Sequence, residues 1–255
     1  VCLDNYAIWV IADGYGDEID TEIISKTAVE SVVEHFMLEP EFSSDKIKEM
    51  LNYANFKVQE KQFELKNEVL QTSVSILISN YHSYLYGGVG NCRFYHMRDG
   101  YIIARSNDDT LAQSLVDEAM LEAGSVKDHR HKNNLLQAVG DKNKLNINVM
   151  KRAVELKEND NIILATLGFW ENVSDEEIEI EVDKIENREE LIQKLKDKIS
   201  SVEKSEIENN TFVIIDVKKL AVPELLPKMS KQKVKRLIVS AIIIIALFLG
   251  MNIYV

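Results

Sequence analysis

The chain is short of cysteine, of proline and of positive charge. It has two cysteines, three prolines and 30 Lys and Arg against 42 Asp and Glu in 255 residues. Cys2 and Cys92 lie ninety positions apart, without the close spacing of a metal site or the density of a disulfide scaffold, which points to a reduced intracellular setting. Residues 216–255 hold seven of the basic and two of the acidic residues, so residues 1–215 carry 23 basic against 40 acidic groups, a balance of −17. A domain that acidic is a poor partner for nucleic acid, because phosphate binding needs a Lys and Arg surface. Internal repeats and low-complexity tracts are lacking as well. What is present is 45% apolar residues, enough for one sizeable core.

Apolar periodicity predicts helices over 20–37, with Val29, Val32, Val33, Phe36 and Met37 on one stripe, and over Ser44 to Glu64, burying Ile47, Met50, Leu51, Ala54 and Val58. Pro40 separates them. Strands are expected at 72–79, 82–88, 92–97, 101–105, 148–156, 161–166 and 211–216. A third helix is expected through Leu111, Leu115, Val116, Ala119 and Ala123, and a fourth through Leu191, Ile192, Leu195, Ile199 and Val202. Strands in hairpin-like succession with helix pairs toward the ends read as an α+β domain. The acidic run Asp175-Glu176-Glu177, with Glu179 and Glu181, reads as a solvated helix or loop surface.

Two apolar strands end in glycine turns. Tyr6 to Gly16 reads YAIWVIADGYG and places Asp13 where a metal-binding carboxylate would sit, although the same residue could cap a turn; Asn161 to Trp170 reads NIILATLGFW and carries Leu167 at the matching point. Around them, Ala12-Asp13-Gly14-Tyr15-Gly16-Asp17 with Glu22 and Ser25, Gln71-Thr72-Ser73, VGNCRFYHMRDG (Val89 to Gly100), Ala138-Val139-Gly140, NDNIILATLGFWENVSDEEI (Asn159 to Ile178) and Glu208-Asn209-Asn210-Thr211 follow one another in order. This succession resembles the metal-dependent serine/threonine phosphatases of the protein phosphatase 2C type over residues 6–216. The resemblance implies a β-sandwich of two antiparallel sheets flanked by helices. It further implies Asp13, the Gly14 carbonyl and Glu208 as ligands of Mg²⁺ or Mn²⁺, and Asp13, Leu167 and Glu208 gathered at one end of the sandwich.

The departures fall on the chemistry. Leu167 stands for the S-D-G aspartate, Asn91 for the G-D-S aspartate and Glu208 for the last aspartate. An aliphatic side chain donates no oxygen, an amide lacks the charge, and two adjacent dications with fewer anions around them repel strongly. Mg or Mn is therefore expected to bind weakly or not at all. His129 and His131 form an H-x-H pair in a polar loop and read as solvated; Trp170 reads as a packing residue, and Arg93 and Arg98 as structural.

After Asp216 the composition changes. A Pro-containing basic linker, 217–236, with Lys228, Lys231, Lys233, Lys235 and Arg236, leads into the uncharged run 237–255. Nineteen helical residues span about 28 Å, close to the hydrocarbon thickness of a bilayer, so a single transmembrane helix is expected. The basic cluster places domain 1–216 on the cytoplasmic side. The whole reads as a membrane-anchored pseudophosphatase that binds a phosphoprotein or protein kinase in signalling, or else as an active phosphatase with an atypical metal site.

Overall fold

The computed structural model describes residues 1–15, 20–185, 187–201 and 209–220. Within them nine strands and six helices form four layers, helices, sheet, sheet, helices. The expected α+β sandwich of two antiparallel sheets is present. The first sheet takes β1 (Ala7–Tyr15), β2 (Gln71–Ser79) and β3 (Ser83–Val89) in that order, with β3 also pairing two short pieces, β6 (Asn148–Val149) and β7 (Val154–Glu155). The second runs β5 (Tyr101–Arg105), β4 (Arg93–Arg98), β8 (Asn161–Ala165), β9 (Phe212–Asp216).

Side-chain alternation builds the layers. In β2, Val74, Ile76 and Ile78 face α1 (Thr21–Leu38) and α2 (Ser44–Leu65), whereas Leu77 points into the space between the sheets. In β4 and β8, Phe94, Ile162 and Leu164 enter that central space, while Tyr95, Met97, Ile163 and Ala165 pack on the opposite face. There they meet α4 (Leu167–Trp170), α5 (Asp175–Lys184) and α6 (Arg188–Ser200). The β4–β5 hairpin closes through Asp99 and Gly100, both at positive φ, the backbone state an Asp-Gly two-residue turn favours. Helix α2 starts on a Ser43 cap and stops where Lys66 turns left-handed; α5 starts on a Ser174/Glu177 capping box.

Four sequence expectations need correction. The buried seam of α1 is Ile24, Ala28, Val32 and Phe36; Val29 and Val33 are half-buried and Met37 is exposed, because the helix is rotated to set its i, i+4 row on the sheet. The third helix, α3 (Leu111–Asp117), stops early, with Ala119 at φ 57°, and Leu111, Leu115 and Val116 are only half-buried. The strand expected over 148–156 is two two-residue pieces, each paired to β3 across a break. The acidic run lies on α5 but is not simply solvated: Asp175 pairs with Arg105 at 2.8 Å, Glu179 accepts the Ile102 amide at 2.8 Å, and Glu181 is buried 3.5 Å from Lys198. Val202, Glu208, residues 221–236 of the linker and the whole run 237–255 lie outside the described residues. Among the described residues no helix is long and apolar enough to cross a membrane.

Candidate functional site

Antiparallel order brings the sequence-selected positions to one end of the sandwich. β1, β3 and β8 finish there, and β2, β4 and β9 begin there. Asp13 and Leu167, more than 150 positions apart in sequence, thus share that end. Asp13 has the same strand parity as Trp9 and Ile11, so it belongs to the face turned toward the second sheet. It is half-buried and directly opposite Ser73; its carbonyl accepts the Thr72 hydroxyl at 2.9 Å. Gly14 pairs with Thr72, and its absent side chain matters: a Cβ there would stand 2.6 Å from the Thr21 carbonyl at the head of α1.

The next link is Asn91, which is buried just beyond β3. Its Oδ1 accepts the Ser73 hydroxyl at 2.8 Å, and its backbone amide donates to the same hydroxyl oxygen at 3.1 Å. Its carbonyl accepts the Trp170 indole N–H at 2.9 Å. Asn91 therefore ties the Asp13 strand pair to the short helix α4, which starts at Leu167. Leu167 itself is half-buried against the apolar cluster that includes Phe169 and Trp170. On the far side of α4, a Cβ on Gly168 would meet the Asn209 carbonyl at 2.5 Å. That contact sets the backbone of Asn209 against this turn.

Beneath the rim lies a buried ion pair that sequence reading left open. Arg93 grips Asp108 through Nε and Nη2, at 2.9 and 2.7 Å, with both side chains almost fully buried. The guanidinium also lies 3.6 Å from the centre of the Trp170 ring. Burial disfavours the charge of Arg93, but hydrogen bonding and charge interactions with Asp108 and Tyr95 together outweigh it and raise the pKa. Burial also raises the Cys92 thiol well above its ordinary range, with the charges of Asp13 and Asp108 adding to it. Cys92 is thus a neutral core thiol at neutral pH. The neighbouring Asp109 accepts the Gly90 amide at 2.9 Å and the Gln137 amide at 3.0 Å, yet burial still raises its pKa. Arg93 and Arg98 are structural, as expected; the signal for Asp108 was that a strand arginine facing a core requires a carboxylate.

Gly90 is fixed by geometry. Its φ is +94°, and a Cβ would fall 2.2 Å from the Ser73 hydroxyl oxygen. Gly90→Ala is expected to cost about 2–5 kcal/mol from left-handed strain plus overpacking, read as a drop in the urea midpoint at unchanged slope.

The histidine pair stands apart from this chain of contacts. His129 and His131 sit in the loop after α3, their rings 5.4 Å apart, half-buried, with the His131 amide donating to His129 Nδ1. Trp170 is a buried packing residue with one hydrogen bond. Among the described residues no three His, Cys, Asp or Glu side chains gather in a way that could hold a metal ion. Glu208 lies outside the described residues.

No family model matches the chain, and no curated protein matches it either. Its structure is similar to the serine/threonine phosphatase PstP/Ppp of Mycobacterium tuberculosis, with TM-score 0.71 and 19% identity over 86% of this chain and 94% of that one. It is similar to the serine/threonine phosphatase Stp1 of Staphylococcus aureus, with TM-score 0.72 and 19% identity over 83% and 84% of the two chains. The catalytic domain of PstP in complex with two manganese ions gives TM-score 0.65 and 20% identity over 84% and 91%. These likenesses establish the fold, that of the protein phosphatase 2C type.

Proposed function

We propose that the chain is a membrane-anchored member of this phosphatase family whose metal centre is too depleted for efficient hydrolysis, and that it works by binding a phosphoprotein or a protein kinase in signalling. The observation that carries this reading is Leu167. It opens α4, two residues after β8, where the family resemblance calls for an aspartate, and its side chain packs on apolar neighbours. Asn91 supports it, because an amide, whose oxygen here accepts the Ser73 hydroxyl, offers a cation no negative charge. A binuclear Mg²⁺ or Mn²⁺ centre needs several carboxylates to offset four positive charges. Asp13, the Gly14 carbonyl and Glu208 do not fit that demand. The surface that such a fold presents to a phosphorylated polypeptide would outlast the loss of hydrolysis, since recognition and metal chemistry use different groups.

A working phosphatase with an atypical site is the second reading. Asp13 at the sandwich end favours it, together with the two manganese ions of one structural neighbour. Hydrolysis of an aryl phosphate in Mn²⁺ separates the two. Turnover by the full chain is expected not to exceed that of Asp13→Ala, and calorimetric Mn²⁺ titration is expected to show at most one weak site. Mn²⁺-dependent turnover abolished by Asp13→Ala would establish the enzyme instead.

A further inference from the structure

At the opposite end of the sandwich, three polar side chains are sealed between the sheets, with the partly exposed Arg98 at their edge. The Tyr84 hydroxyl of β3 is 2.8 Å from His96 Nδ1 of β4. His96 Nε2 is 3.0 Å from Asp160 Oδ2, in the turn before β8. Asp160 in turn accepts Arg98 Nε at 2.7 Å and Nη2 at 2.8 Å, and the Lys157 amide at 2.7 Å. The Tyr84 and His96 residues are 0% exposed and Asp160 is 1% exposed. The phosphatase-like end is remote from this row, and the proposed function makes no use of it. The row nevertheless joins the first sheet to the second through one imidazole.

We propose that Tyr84, His96, Asp160 and Arg98 form a proton-sensitive latch between the sheets, closed while His96 is neutral and loosened when the ring takes up a proton. A neutral ring fits its surroundings if Nδ1 accepts from the Tyr84 hydroxyl, which leaves the proton on Nε2, 3.0 Å from the carboxylate. The titratable and charged groups that face the ring are Tyr84 from β3, Asp160 from the turn before β8, and Arg98 from its own strand. Asp160 is already neutralised by Arg98, so a second cation would leave a net positive charge buried. It would also place an N–H where the Tyr84 hydroxyl now donates, and that hydroxyl would lose its acceptor.

The pH dependence follows in sign. Burial holds the His96 pKa below its ordinary 6.5, and Arg98 adds to this, although Asp160 pulls the other way. The unfolded chain then binds the proton more readily than the folded one. The stabilising contribution of the latch is complete above about pH 6.5 and is lost as pH falls through the lower folded value.

Thermal unfolding of the full chain tests this. Between pH 7.5 and 5.5 the midpoint of the unaltered protein is expected to fall about 2–4 °C further than that of His96→Gln, which keeps a hydrogen-bonding amide but does not titrate. Parallel curves for the two proteins would overturn the latch. Nitrogen NMR of the unaltered chain decides independently of whether the variant folds: at pH 6.5, the ordinary midpoint of an imidazole, His96 is expected to be less than half protonated, with the neutral form carrying its proton on Nε2. A protonation midpoint at or above pH 6.5 would equally overturn the proposal.

Discussion

Asp108→Ala is expected to remove about 3–5 kcal/mol from the free energy of unfolding, because it strands a buried guanidinium. Both side chains of the Arg93–Asp108 pair are less than 5% exposed, so neither water nor a surface counter-ion replaces the missing carboxylate. The stacking of Arg93 on Trp170 does not compensate, since a cation–π contact is worth only about 2 kcal/mol even when desolvated. The consequence spreads to the site end: Trp170 anchors the Asn91 carbonyl, and Asn91 holds Ser73 opposite Asp13. A urea titration checks the magnitude. The double variant Arg93→Met with Asp108→Leu should recover much of the loss, because two apolar groups of similar volume leave no charge to desolvate. Equal destabilisation by the single and double changes would show that packing, and not the unpaired charge, sets the cost.

The second large effect concerns location. We propose that residues 237–255 cross a bilayer and hold the domain on the cytoplasmic side. The run carries no charge, and the basic residues Lys228, Lys231, Lys233, Lys235 and Arg236 precede it. The full chain is expected to sediment with membranes and to resist extraction by salt and alkaline carbonate, whereas a chain ending at residue 236 stays in the supernatant. Salt resistance discriminates an inserted helix from a basic segment held on anionic headgroups, whose attraction is screened within about 8–10 Å at ordinary ionic strength. Protease added to intact spheroplasts should then spare an N-terminal epitope and remove one placed after Val255. Loss of the N-terminal epitope without lysis would reverse the orientation.

How much of this was legible in the sequence depends on the range of the interaction involved. Period-two and period-3.6 patterns are local, so the strands of both sheets other than β6 and β7, and the buried face of α2 (Ile47, Met50, Leu51, Ala54, Val58), were readable to within a residue or two. The contrast between Asp13 and Leu167 at two strand ends was likewise readable, since each is a matter of residue identity beside a glycine turn. The face of α1 was not. Both its Val29–Val33–Met37 and its Ile24–Ala28–Val32–Phe36 rows are apolar, and only the sheet beneath selects which is buried. The early stop of α3 also escaped, because its apolar residues have too little to pack on to sustain further turns.

By itself, the sequence determined the α+β class, the excess of acidic residues and the apolar run at 237–255, which follow from side-chain chemistry and short-range periodicity, whereas the expectation of an aspartate where Leu167 stands rests on the family resemblance. Only the tertiary structure decided that Asp13, Ser73, Asn91 and Trp170 form one connected chain of contacts, that Asp108 is the partner of Arg93, and that His96 is sealed between Tyr84 and Asp160. Those pairings join strands far apart in sequence through antiparallel register, and a register is fixed by how two whole faces pack, which no local stretch of residues specifies.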